Sequence, residues 1–155
     1  MNTVGYMQRT RDFYAAQGYP KPYVWASHDE IPFTRLAKPL SESRVGLVTT
    51  AALYARKPFE RREVASGSVS ESWAKLYAED LAWAKESTHM DDLGSYFPLR
   101  VLQEMVSEGT LGEIAPRFHC APTEYSQRQT NTVDAPEILA RCREDEVDVA
   151  LLVPL

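Results

Sequence analysis

A length of 155 residues is one domain's worth and leaves no room for two full-sized ones. Hydrophobic residues at 44 % and charged residues at 25 % match an ordinary globular protein and exclude a disordered tail, a stapled mini-protein and a fibrous repeat. A net charge of −5, from 22 acids against 17 bases, lacks the basic face that a nucleic-acid partner needs. No apolar run approaches the roughly 18 residues that cross a bilayer, and the N-terminus lacks a basic-then-apolar signal pattern. The expectation is a cytoplasmic protein with neither a membrane nor a nucleic acid as partner.

In chain order, residues 2–17 predict a helix, with Met7, Thr10, Arg11 and Tyr14 on one face and Gly18 as the residue that stops it. Pro20 and Pro22 then force an extended path, and Tyr19, Tyr23, Trp25 and Phe33 give an aromatic arm built to pack against the domain or another subunit. Arg44 to Ala52 reads as a short buried strand feeding a loop, and Tyr54 to Glu71 as mainly loop. Arg56, Lys57, Arg61 and Arg62, diluted by Glu60 and Glu63, form either a solvated loop or a phosphate site. Trp73, Leu76, Tyr77 and Leu81 fit helical spacing, so a short helix is expected there, then a strand from about Leu81.

Phe97-Pro98 starts a clear helix with proline at its first position, Leu99, Leu102, Met105 and Val106 as its apolar stripe and Gly109 as its end. Arg117 to Ala121 predicts a strand. Asp134, Pro136 and Glu137 predict a capped helix start, with Ile138, Leu139 and Cys142 facing inward. Val147 to Val153 is nearly all apolar and reads as a strand buried on both faces.

The predicted fold class is therefore α/β: a mainly parallel sheet flanked by helices in a flavodoxin- or Rossmann-like three-layer arrangement. A helix and extended arm over 1–43 precede an α/β domain over 44–155. Ligands in such sheets bind at the carboxyl ends of the strands. Leu155 lies just past the last strand, which is either an ordinary edge strand or one that continues into a missing loop. Its doubly apolar pattern favours the second, so the α/β domain reads as incomplete.

Four segments carry a family resemblance: Lys38 to Ala51, His89-Met-Asp91, Tyr96 to Pro116 and Glu146 to Pro154. In that order they resemble the glycine/sarcosine/betaine reductase selenoprotein B family, which includes D-proline reductase relatives. The resemblance runs from about Tyr6 to the end. It implies thiol-dependent reductive cleavage of a carbon–heteroatom bond in a small, amino-acid-like substrate, with a thiol reductant or a partner reductase component resetting the enzyme. In that family the strand resembling Val147 to Pro154 runs into a motif that begins with selenocysteine or cysteine, with another cysteine three positions on. The resemblance places the nucleophile immediately after Leu155, beyond this sequence. A selenocysteine codon read as a stop, or a deliberate cut, would leave the chain inactive as shown.

The chemistry needs a selenolate or thiolate, because an ordinary cysteine with a pKa of about 8.5 is mostly protonated at neutral pH. A second thiol then releases product through a disulfide-type bond. Cys142 sits on an apolar helix face, and Cys120, next to His119, is the better of two weak candidates. The catalytic residues expected are His89 and Asp91, which face the same side of an extended segment and suit a proton donor with its orienting carboxylate. A surface-loop pair is the alternative. Thr49 and Thr50, at the carboxyl end of the first strand, are expected to bind the substrate carboxylate, or else to form a turn that bonds its own backbone. His89, Asp91 and His119 have only generic metal-ligand spacing, so no metal and no cofactor are expected.

Two other classes stay open: half of a racemase-like isomerase, which would need two catalytic cysteines on duplicated halves, and a non-catalytic subunit-interaction module. The aromatic arm predicts a homo-oligomer.

Overall fold

The computed structural model describes residues 5–22, 24–55, 63–78, 86–123 and 126–155. The chain divides into two compact units, Met1–Phe33 and Thr34–Leu155.

In the first unit, Tyr6–Ala16 forms helix α1, and Gly18 closes it at φ +85°, a conformation open to glycine without a Cβ penalty. No residue of α1 is buried. The unit is held by ring contacts: Tyr14 packs edge-on against Phe13 and Tyr19, and Arg11 lies 5.1 Å over the Trp25 ring. Phe33 and Ile31 remain 86 % and 83 % exposed.

The second unit is built on strand β1, Arg44–Thr49, whose β-branched and apolar run is buried along nearly its whole length. Strand β2 is Ala65–Ser68, helix α2 is Leu99–Ser107, β3 is Glu113–Ile114, and β4 is Arg117–Cys120. A one-turn helix α3, Gln127–Gln129, passes through a π-turn at Thr130–Asp134 into helix α4, Ala135–Glu144, and β5 is Val149–Val153. One edge of β1 pairs in parallel with β5, from Val45↔Val149 to Thr49↔Val153. The other edge pairs in parallel with β3 and β4 laid end to end, and β2 runs antiparallel on the far side of β4. The sheet is thus mixed but mostly parallel, flanked by helices, as the sequence predicts.

Side chains alternate across this sheet. Val45, Leu47, Phe118 and Cys120 share the face that packs on Leu99 and Leu102 of α2. A Cβ on Gly46 would meet Val147 and the Cys142 sulfur, which sets α4 against the opposite face. The amphipathic stripe of α2 accounts for its docking, and its first residue is Leu99, one later than expected, with Pro98 as the cap.

Four local expectations change. Ala65–Ser68 is a strand rather than loop, because pairing with β4 overrides a composition with low strand propensity. Residues 72–78 form no helix, and Tyr77 instead bridges Ala52 through backbone bonds of 2.7 and 2.8 Å. Asp134 does not cap a helix: its backbone is already helical, and the helical run starts at Ser126, whose hydroxyl accepts from Gln129 N–H. Pro136 cannot donate to the carbonyl of Thr132, and the wide π-turn before it accommodates the missing bond. Finally, β5 is one of the edge strands among those described rather than one buried on both faces. Leu152 is 69 % exposed, although Val149 and Val153 reach the core.

The basic stretch over 56–62 and the strand expected from Leu81 lie outside the described residues. Among the described residues no helix is long and apolar enough to cross a membrane.

Candidate functional site

Parallel pairing brings three carboxyl ends to one rim, because Thr49 is in register with Cys120 of β4 and with Val153 of β5. This is the part of an open α/β sheet where following loops converge. Thr49 is buried, and its Oγ1 accepts from Ala51 N–H at 3.2 Å, closing a tight turn directly after β1. Ala121 N–H donates to the Thr49 carbonyl at 2.8 Å, so the loop after β4 leaves alongside that turn. Thr50 joins both neighbours: its Oγ1 accepts from Leu155 N–H at 2.8 Å, and its carbonyl accepts from Thr123 Oγ1 at 3.2 Å.

His89 and Asp91 stand in contact on the surface, with side chains 71 % and 90 % exposed. His89 Nδ1 accepts from Asp91 N–H at 3.3 Å and lies 3.4 Å from Asp91 Oδ2. The first contact needs a bare Nδ1, whereas donation to Oδ2 needs an Nδ1–H, so the two contacts are alternatives. Among the described residues no hydrogen bond or ion pair joins this pair to Thr49 or Thr50. Between the pair, Met90 packs against the core, and its carbonyl accepts from the Tyr96 hydroxyl at 3.1 Å. Close by in sequence, Trp73, Asp92, Phe97 and Arg100 line a hollow of about 400 Å³ at the start of α2.

Both cysteines are buried free thiols. Burial alone pushes Cys120 up to about 12, and burial followed by the Asp145 carboxylate raises Cys142. Neither is a ready thiolate.

The sheet face under α4 holds a second polar group that the sequence reading passed over. Arg141 donates from Nη1 to Ser66 Oγ at 2.6 Å and pairs through Nη2 with Glu137. Ser66 Oγ lies 2.8 Å from His119 Nδ1. Arg141 donates to Ser66 Oγ, and the direction of the Ser66–His119 bond follows the ring's tautomer: a bare Nδ1 accepts from the hydroxyl, whereas an Nδ1–H donates to its second lone pair. His119 is 1 % exposed, and Nε2 is buried without a hydrogen-bond partner among the described residues. Burial, then the Arg117 and Arg141 charges, hold the ring's pKa below the ordinary histidine value against the opposing pull of Asp145. Ser66 and Arg141 lie far from His119 in sequence, and only the strand pairing Ser66↔His119 brings the group together. Among the described residues no cluster of three or more His, Cys, Asp or Glu is placed to hold a metal ion.

No protein-family model and no solved structure matches the chain. Over 146 residues it is 24 % identical to the glycine reductase complex component B subunit gamma of Symbiobacterium thermophilum. The chain is distantly related to that component. The match covers 86 % of this chain and 33 % of the relative, so the chain spans about a third of its length.

Proposed function

We propose that this chain forms the substrate-holding α/β part of a thiol-dependent reductase component that cleaves a carbon–heteroatom bond in a small, amino-acid-like molecule. The observation that carries the reading is the common rim of β1, β4 and β5, with the Thr49–Ala51 turn and the Thr50 hydroxyl at its centre. The distant relationship to a glycine reductase component supports it. In this reading Thr50 and the backbone amides after β1 take the substrate carboxylate, while Thr49 shapes that loop through Ala51. His89, oriented by Asp91, delivers a proton to the leaving group. The attacking selenolate or thiolate forms a bond to substrate carbon as the carbon–heteroatom bond breaks. A second thiol then releases the product, leaving a disulfide-type bond that an external dithiol or a partner component reduces. Cys120 and Cys142, buried with raised pKa values, are not the nucleophile in this reading, and the family resemblance places that group just after the Val147–Pro154 segment.

Calorimetric titration with glycine, sarcosine, betaine and proline tests the reading. We expect at least one to bind, and Thr50→Val to weaken it roughly tenfold, the worth of one hydrogen bond. Absence of heat with every one of these carboxylates contradicts the proposal.

A second reading, a subunit-interaction module, is favoured by the first unit, where Tyr6, Phe13 and Tyr19 are 70 %, 60 % and 59 % exposed. If these rings dock on another copy, removing the first 40 or so residues yields a monomer by light scattering. An unchanged mass rules that out.

A further inference from the structure

The sheet has one open side. β5 pairs with β1 through consecutive partners without a bulge, and its other edge is unpaired among the described residues. Val149–Val153 carries neither charge nor proline, so the devices that keep strand edges apart are missing from it. Beside it, on the face under α4, lies an apolar groove of about 440 Å³, with Ile138 and Leu139 as one wall and Ala150 and Leu152 as its floor. Leu139 and Leu152 are 50 % and 69 % exposed.

Topology names the kind of element that fits. β4, α4 and β5 form a parallel crossover that steps over β1, with its helix on the face of Gly46. Such crossovers take one hand in nearly every case. A further crossover stepping outward from β5 in the same direction therefore lays its helix on that same face, where the groove lies. The charges agree with the direction such a helix runs. Starting from the rim, its positive end falls beside Asp134, which lines the groove near Pro122. Its negative end falls beside Arg143, which lines the groove near Val147 and makes no ion pair among the described residues.

A second copy pairing edge to edge would satisfy the β5 backbone but bring no helix over Ala150 and Leu152. Helix α4 lies inboard of them, reaching as far as β2 through Arg141 and Ser66. The match to the relative covers 33 % of its length, which leaves ample polypeptide there for another unit.

We propose that the β5 edge and the α4–β5 groove seat a further helix–strand unit of the same polypeptide, an amphipathic helix in the groove followed by a strand parallel to β5. The proposal does not depend on the reductase reading, since an open edge and an apolar groove need a cover whatever the chemistry at the rim.

Intact mass and amide hydrogen exchange on the native gene product, beside residues 1–155 alone, test this. We expect the native product to be the heavier, with the β5 amides that point away from β1 protected in it roughly a hundredfold more than in residues 1–155. Leu152→Lys should leave the urea midpoint of residues 1–155 unchanged and lower that of the native product by roughly 1 M. If residues 1–155 do not fold alone, the native product decides. Leu152→Lys should then lower its midpoint, whereas Val101→Lys, at a site 46 % exposed on α2, should not. A native product of the same mass overturns the proposal, as do β5 amides equally open in both or Leu152→Lys without effect in the native product. Protection of β5 in residues 1–155 that rises with protein concentration assigns the edge to a second copy and overturns it too.

Discussion

Arg117 grips Asp145 with both arms of its guanidinium, Nε and Nη2 each lying 2.9 Å from a carboxylate oxygen. The pair ties the start of β4 to the end of α4, and the Asp145 side chain is only 10 % exposed against 33 % for Arg117. A planar fork on a carboxylate is a strong, orienting contact. Arg117→Ala leaves Asp145 nearly buried without its cation. We expect a loss of about 2–3 kcal/mol in urea denaturation, less than the roughly 3–5 of a fully buried pair because the guanidinium is one-third exposed.

Gly67 marks a close approach. A Cβ there would lie 2.6 Å from the Phe118 ring and 2.8 Å from Trp73, two rings that meet edge to face at 5.2 Å. Both rings are fixed by packing, so Gly67→Ala forces β2 outward. A cost of about 1–3 kcal/mol in thermal or urea unfolding is expected, the usual range for overpacking.

The two thiols should be inert in the folded protein. Iodoacetamide at neutral pH should leave Cys120 and Cys142 unmodified by mass spectrometry until denaturant is added, since both are buried and protonated. Rapid alkylation of the native protein at either position would reopen its candidacy as nucleophile.

Asp148 fixes the entry to β5 by accepting from Arg44 N–H at 2.8 Å and pairing with Lys38 at 2.7 Å. The Arg44 backbone bond, followed by the Lys38 contact, holds its pKa below the ordinary carboxylate value. Its contribution to stability is therefore complete above about pH 4 and is lost as pH falls further. Asp148→Asn should flatten the acid limb of the stability curve in that range without changing its slope above it.

Strands β1 and β5 and helix α2 are legible in the sequence because each has its own apolar pattern, and a glycine marks the end of both α1 and α2. What is not legible depends on partners distant in the chain. The Ala-Ser-Gly-Ser run of β2 becomes a strand only because β4 offers an edge and Gly67 admits two rings. The apolar string of β5 carries no mark of whether it lies at the centre or the edge of a sheet. Asp134-Ala-Pro-Glu imitates a helix start although the helical run begins at Ser126. Of the candidate site, the place of Thr49 and Thr50 at a strand's carboxyl end follows from the pattern of that strand, whereas the bond from Leu155 to Thr50 does not. The partnership of His119 with Ser66 and Arg141 had no local signal at all.

The most direct test of the account is amide chemical-shift mapping while titrating the tightest-binding of glycine, sarcosine, betaine and proline. The account predicts shifts confined to the loops after β1 and β4, Thr50–Leu53 and Ala121–Thr123, and lost in Thr50→Val. Shifts in the first unit or along α4 and β5, with that rim silent, would contradict it.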